Sequence, residues 1–417
     1  MFESFKGAKI SSVMKILLVH DYGTPTGGAE LQMLSLRQNL RDKGHDARLF
    51  SSEAMLVPDS ELLADYSCFG TNSRLQALSQ TCNFSAYWRL KQTLQEFQPD
   101  VVHVRMFMWQ LSPLILPLLQ KIPCLYQAAL YKVICPVGTK ILPDGSPCLD
   151  KIGKACLNNG CLTFQSWVSY MVQQGLWQQW KQAFDVVVAL SHGMKEKLES
   201  EGIKPIKVVH NGVPERPCRP PLAASPTVAF AGRLSLEKGI NILLQAFAQI
   251  LLEVPEAHLV IAGQGNEKTK LLSLAEKLGI SGQITWLGHI SRTELEKQFD
   301  SAWVQVIPSI WDEPFGNVTT EAMMRGTAVI ASAVGAQPEI VEEGVTGFLI
   351  PPGDVASLAS ALVRLLSNAE LSEQMGQAGR QRALNYFSEN QCTENFLELY
   401  QQLYSAYHGK KEICIKQ

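Results

Sequence analysis

The sequence predicts a doubly wound α/β architecture divided into two domains, and three observations carry that prediction. Short apolar, β-branched runs recur along the chain and alternate with stretches of helical periodicity. Most of these runs are apolar throughout, which suits parallel strands covered on both faces. The alternation pauses only once, at a proline-rich stretch near mid-chain. The 417 residues suffice for two or three domains, each with its own core.

In the first half the expected strands are Lys15–His20, Ala47–Phe50, Val101–Val104, Cys124–Gln127, Asp185–Leu190 and Ile206–His210. In the second half they are Thr227–Ala231, His258–Ala262, Ile284–Leu287, Trp303–Ile307 and Ala328–Ala331. Helical stretches such as Leu31–Lys43, Ile240–Leu252 and Lys268–Leu278 separate them. Between Pro214 and Pro226 five prolines fall in thirteen residues. Such a segment continues neither a helix nor a central strand, so it reads as a linker. The expected layout is a first domain over 14–213, the linker over 214–226, a second domain over 227–387 and a terminal helix over 388–408. Two such domains facing each other would leave a cleft at the carboxyl ends of their strands, where open α/β sheets bind ligands.

Charge and composition narrow the function. With 37 Lys+Arg against 39 Asp+Glu the formal charge is −2, which argues against wrapping nucleic acid by bulk electrostatics. The N-terminal stretch shows no signal-peptide pattern, and the apolar run Met106–Leu119 is broken by Gln110, Pro113 and Pro117. A cytoplasmic protein with reduced thiols is expected, with peripheral contact at the inner face of a membrane left open.

Three motifs follow strands. In Ile307–Gly326 a strand gives way to a loop and then to a helix expected to start near Thr319 or Thr320. Gly316, Asn317 and Val318 would then offer backbone N–H groups to an anionic phosphate. Glu313 and Glu321 bracket that point, and paired carboxylates suit vicinal hydroxyls. A helix start with a solvated loop is the competing reading. Arg233 and Lys238, just after the strand Thr227–Ala231, could converge on a diphosphate or be two surface cations at a helix start. Gly27 and Gly28 lie in a Gly-rich strand-to-helix loop that is neither G-x-G-x-x-G nor a Walker pattern.

The stretch Glu313-Pro-Phe315-Gly-Asn-Val-Thr319-Thr-Glu321-Ala-Met, with its sequel through Gly335, Glu339, Gly347 and Asp354, resembles the "group 1" retaining glycosyltransferases of family 4. The resemblance implies the GT-B fold, two facing Rossmann-like domains with a C-terminal helix. It also implies sugar transfer from a nucleotide-diphosphate sugar to an acceptor hydroxyl, in polysaccharide, glycolipid or cell-envelope glycan synthesis. By that analogy Glu321 holds the nucleotide ribose. Glu313 and the loop through Phe315, Gly316, Asn317, Val318 and Thr319 meet the donor sugar and its phosphates. The pattern G-R-x-x-x-x-K-G assigns Arg233 and Lys238 to the departing diphosphate, a role that substitutes for a metal, so no cofactor is expected for catalysis. The family's G-G-A-E loop places Gly27 and Gly28 on the N-terminal side of the site. Asn211, in Val-His-Asn-Gly-Val, and Gly263 with Gly265 also match family segments.

The first domain, on the acceptor side, departs from the pattern. Asp-Val-Val-His103-Val-Arg105 resembles D-V-V-H-x-H with the second His replaced by Arg105, which could contact a polar or anionic group. His103 is carried as a catalytic candidate, although a lone His after a buried strand is more often structural. Tyr126–Ala129 stands where relatives show T-x-H-D. Cys135, Cys148, Cys156 and Cys161 form an insertion over about 135–161 whose spacing is not that of a zinc ribbon. A structural zinc and unligated or redox-paired thiols both stay open, and the insertion would shape binding of a glycan, lipid-linked or small-molecule acceptor. A non-catalytic GT-B partner or an epimerase is the alternative function. A nicotinamide dehydrogenase is disfavoured, because no dinucleotide fingerprint follows the first strand.

Overall fold

In the computed structural model, residues 13–55, 60–73, 76–222 and 225–415 are described. Positions 1–12 of the N-terminal stretch and 223–224 of the proline-rich segment lie outside them. The chain divides into two units, residues 1–212 with 389–417 and residues 213–388.

The first unit holds β1 (Lys15–Tyr22), β2 (Asp46–Ser52), β3 (Tyr66–Cys68), β4 (Val101–Val104), β5 (Cys124–Gln127), β6 (Val186–Ala189) and β7 (Ile206–Val208). These form one seven-stranded sheet in the order β3-β2-β1-β4-β5-β6-β7, with every pairing parallel. The second unit holds β8 (Thr227–Ala231), β9 (His258–Ala262), β10 (Ile284–Gly288), β11 (Val304–Ile307), β12 (Ala328–Ser332) and β13 (Gly347–Ile350), ordered β10-β9-β8-β11-β12-β13. Both orders reverse at one point, between β1 and β4 and between β8 and β11, and ligands of doubly wound sheets bind at such switch points. The doubly wound class is the one expected, and its central strands are buried as their unbroken apolar runs require. Two strands are additions. β3 is a three-residue edge containing Ser67, and β13 is four residues behind the Gly344–Gly347 turn, too short for a periodicity to register.

Two boundaries differ from the sequence reading. The last helix, Glu389–Ile415, follows the second unit in sequence but packs in the first. Its Phe396, Leu397, Leu399 and Tyr400 join Ile16, Leu18, Leu36 and Val101 in one buried cluster. Apolar positions at helical spacing fix which face is buried but not which domain receives it. The proline-rich segment is not a free tether over its length. Arg219 is buried, its N–H donates to the Arg325 carbonyl at 2.8 Å, and its guanidinium pairs with Glu373 at 3.1 Å. Among the described residues no helix is long and apolar enough to cross a membrane.

Candidate functional site

In the second unit two motifs far apart in sequence meet at the switch point. Gly239 adopts φ +66°, and a Cβ there would collide with the Pro308 carbonyl, so glycine lets the turn after β8 lie against the end of β11. The Ile310 N–H accordingly donates to the Glu237 carbonyl at 2.9 Å. Lys238 is thereby brought onto Glu313, forming a short, largely buried ion pair. The Ser309 hydroxyl, at 2.7 Å, and the Trp311 indole, at 3.3 Å, donate to the same Oε1. Burial pushes the Glu313 carboxyl up, but the Lys238 ammonium and these donors outweigh it and hold the pKa below the usual glutamate value. Because the three donors share Oε1, Oε2 is the oxygen left to accept from a ligand hydroxyl.

The loop continues into the helix Asn317–Met324, capped by Gly316 at φ +110°. The helix therefore begins about one turn earlier than the Thr319 or Thr320 start expected from the sequence. Those two hydroxyls are used elsewhere. Thr319 Oγ1 donates to Gln337 Oε1 at 2.9 Å, and Thr320 Oγ1 to the Asn317 carbonyl at 3.0 Å. A Cβ on Gly316 would collide with Gln337 Nε2, which is buried without a hydrogen-bond partner. Asn317 and Val318 thus stand in the first turn, at the positive end of the helix.

One turn on, Glu321 pairs closely with Arg292 on the wall of an open pocket of about 580 Å³ that also takes in Arg216, Ala231, Glu296 and Val318. Burial raises the Glu321 pKa, the Glu296 carboxylate adds to the rise, and Arg292 and Arg216 oppose it. Arg216, Arg292, Ser309, Trp311 and Gln337 were not singled out from the sequence. Ser309 and Trp311 stand inside the quoted Ile307–Gly326 stretch, whereas Arg292 follows an ordinary strand and carries no motif.

Other expected residues are placed differently. Arg233 does not join Lys238 on the carboxylate, because its side chain is 68% exposed and pairs with Glu237 at 3.3 Å. Gly263 and Gly265 would clash through a Cβ with the Gly232 and Leu234 carbonyls. Their role here is to let the turns after β8 and β9 run side by side, bonded from Gly232 N–H to Ala262 O at 3.0 Å and from Leu234 N–H to Gln264 O at 2.9 Å. Phe315 is buried edge-on against Phe387, 5.8 Å between ring centres, as core.

In the first unit His103 is fully buried on β4, with Nδ1 2.7 Å from the Tyr400 hydroxyl and Nε2 3.1 Å from Gln127 Oε1. Burial, with the neighbouring Arg105 charge, lowers its pKa to about 3. Both ring nitrogens are committed and the imidazole is held neutral beneath the terminal helix. The catalytic assignment of His103 therefore gives way to a structural one. Arg105 is 3% exposed and donates to Gln127 Oε1 at 3.2 Å and to Asn211 Oδ1 at 3.3 Å, which brings two expected residues together. Gly27 caps the helix Gly28–Asp42, and a Cβ there would strike the Glu30 carboxylate. The loop after β4 is anchored by buried Asp21, which accepts backbone N–H bonds from Trp109, Gln110 and Leu111 at 2.8–2.9 Å.

Cys135, Cys148, Cys156 and Cys161 are free and line one small cavity. Among the described residues, however, no three His, Cys, Asp or Glu side chains are gathered as a metal-holding group.

Comparison with known proteins adds the family. The profile of "Glycosyl transferases group 1" matches residues 220–382, and that of "Glycosyl transferase 4-like domain" matches residues 27–212. The phosphatidyl-myo-inositol mannosyltransferase of Mycobacterium leprae is 33% identical over 222 residues, 52% of this chain and 59% of that protein. A glycogen synthase of Mycobacterium tuberculosis is 30% identical over 210 residues, 49% of this chain and 50% of that protein. The chain thus spans about half the length of the curated relatives it matches. Among solved structures, the sucrose-phosphate synthase of Thermosynechococcus elongatus superposes with a TM-score of 0.70 at 21% identity, covering 94% of this chain and all (100%) of that one. HepE of Anabaena in complex with UDP and glucose gives 0.67 at 21% identity, covering 93% of this chain and 100% of its own. The likeness at this identity is one of fold, and with the two profiles covering both units in turn, the chain belongs to the group 1 glycosyltransferases of the GT-B fold.

Proposed function

We propose that the chain is a retaining glycosyltransferase that moves a sugar from a nucleoside diphosphate sugar, held by the second unit, to an acceptor hydroxyl on the first. The observation that carries the reading is the Lys238–Glu313 pair beside the N-terminus of the helix Asn317–Met324. Together they put an ammonium, an ionised carboxylate and helix-end N–H groups at the switch point of the second sheet. The ammonium and the helix end suit the charge that develops on a departing diphosphate. Glu313 Oε2 suits a sugar hydroxyl, and Glu321 the ribose once Arg292 yields. Complexes of HepE with UDP and UDP-glucose support a donor of this class.

Transfer of radiolabelled sugar by the Glu321→Ala and Lys238→Ala variants tests the proposal. Loss in both supports it, and near-wild-type turnover in both overturns it. Incubation with the donor alone separates it from an epimerase, which would alter the sugar without an acceptor. Two further proposals accompany the reading. Transfer proceeds without a catalytic metal, so it survives a chelator. The cysteine-lined cavity takes up a structural zinc when its four sulfurs close on the ion. One equivalent of zinc per purified chain supports that second proposal, and zinc-free protein with four titratable cavity thiols overturns it. Work in the cytoplasm, at the inner face of a membrane and in cell-envelope glycan synthesis, belongs to the same proposal.

A further inference from the structure

A small, open pocket of the first unit is lined by Arg105 and Lys132 together with Met106, Trp109, Tyr126 and Leu130. The two cations are 3% and 7% exposed. Their hydrogen bonds run to neutral oxygens, Arg105 to the Gln127 and Asn211 side chains and Lys132 to the Pro136 carbonyl at 2.6 Å. The Lys132 ammonium also sits 3.6 Å from the centre of the Trp109 ring. Asp21 and Glu30 act on them only through space, without an ion pair, and Asp21 already accepts three backbone N–H bonds. Desolvating a cation without a counter-charge costs several kcal/mol. Two such cations on one pocket are therefore an unmet demand for an anion. A donor of the pocket lining adds to it, because Arg105 Nε is buried without a hydrogen-bond partner.

We propose that this pocket receives a phosphoryl group carried by the acceptor. The inference rests on the first unit being the acceptor side of a glycosyltransferase. A forked guanidinium and a point-charge ammonium offer more donors than one carboxylate uses, whereas a phosphoryl group has up to three terminal oxygens to meet them. The pocket lies wholly within the first unit, while Lys238 and Glu313 lie in the second.

The test uses the full chain saturated with UDP, so that inorganic phosphate cannot report on the nucleotide side. Phosphate is titrated in at constant ionic strength while the melting temperature and the phosphorus-31 linewidth are followed. Phosphate is expected to raise the melting temperature by mass action and to broaden, and acetate at the same ionic strength to do neither. Arg105→Gln and Lys132→Gln should abolish both effects, and Lys132→Arg should retain them, while all three still bind UDP. No phosphate effect in the wild type, an equal effect of acetate, or an effect that survives both Gln variants overturns the proposal. If a Gln variant fails to fold, the wild-type linewidth and the Lys132→Arg variant still decide. If phosphate binds but UDP does not, the transferase reading falls and the anion site stands. If UDP binds and phosphate does not, the reverse holds.

Discussion

In the second unit Lys238 and Glu313 neutralise each other at the end of β11, whereas in the first unit Arg105 and Lys132 are buried without a carboxylate partner. Both clusters stand near the switch point of a parallel sheet, yet they are built differently. The second is a contiguous device, a turn and a loop that meet through Gly239 and place charges already in pairs. The first is assembled from single residues of β1, β4, β5 and the segments beyond them, and His20, His103, Arg105 and Asp21 are all desolvated. The contrast teaches where charge is settled by the chain itself and where it is left for a ligand.

The largest effect is expected from the paired cluster. Lys238→Ala leaves a buried carboxylate uncompensated, which costs on the order of 3 kcal/mol of stability, and removes the cation proposed to face the leaving diphosphate. Sugar transfer should fall at least about a hundredfold, the scale of losing one preorganised charge-stabilising donor. Glu313→Gln, which keeps the shape, should lose activity comparably and lower the urea midpoint by less, because the Lys238 ammonium it leaves unpaired is 19% exposed against 9% for the carboxylate. Wild-type activity in both variants would remove the pair from the chemistry.

The next effect separates the units by pH. His20 and His103 have folded pKa values lowered to about 3, His20 chiefly by burial and then by Arg105. A base whose folded pKa lies below its unfolded value of about 6.5 is fully stabilising above that value, and the contribution is lost as pH falls toward 3. Each histidine should contribute a slope approaching 1.4 kcal/mol per pH unit in that window. Asp21, raised by burial to about 6 despite its backbone N–H bonds, works the other way, favouring the fold as pH falls from about 6 toward 4. Glu313, with its lowered pKa, loses stability only below the ordinary glutamate value. The first unit should therefore lose hydrogen-exchange protection near pH 5, after correction for intrinsic exchange, before the second does. His103→Asn should reduce the pH slope of unfolding by about one proton. Simultaneous loss of protection in both units would show that their charges are not settled differently.

Much of this was legible because local physics writes it locally. Unbroken apolar runs marked the central strands, and the Glu313–Glu321 stretch and Lys238 were readable because their spacing is fixed by one loop and one turn. Arg292 was not, since it reaches Glu321 from another helix through tertiary packing. Lys132 was equally silent. Its environment comes from Trp109 and Pro136, and no periodicity of its own marks it as buried. The misassignment of His103 has the same root. A sequence shows a histidine within an apolar strand run but not Tyr400, almost three hundred residues later (a separation of 297), which takes one of its nitrogens.

A backbone effect comes third. Gly316→Ala demands φ +110° of a residue with a Cβ and drives that Cβ into Gln337, so about 2 kcal/mol of destabilisation and a weakened response to UDP are expected. Gly353→Ala, at φ +80° with nothing within 4 Å, is the control that carries only the conformational cost, about 1 kcal/mol, and should leave UDP binding intact. Equal losses in the two would mean that the space beneath Gly316 is not under constraint.

The smallest effect tests what holds the first unit's cluster in place. The Tyr400 hydroxyl is 2.7 Å from His103 Nδ1, and its ring lies in the cluster that docks the terminal helix. Tyr400→Phe keeps the packing and removes one buried hydrogen bond, so about 1 kcal/mol should be lost in urea unfolding with the m-value unchanged. Because His103 Nε2 and Arg105 share Gln127 Oε1, freeing the imidazole should also loosen Arg105. If the cations are held ready for an anion, the phosphate response of the first unit should weaken in Tyr400→Phe while UDP binding on the second stays unchanged. Loss of stability with an unchanged phosphate response would make the helix a cover for the sheet alone. A parallel loss of both would make it a positioning element that reaches the Arg105–Lys132 pocket through His103 and Gln127.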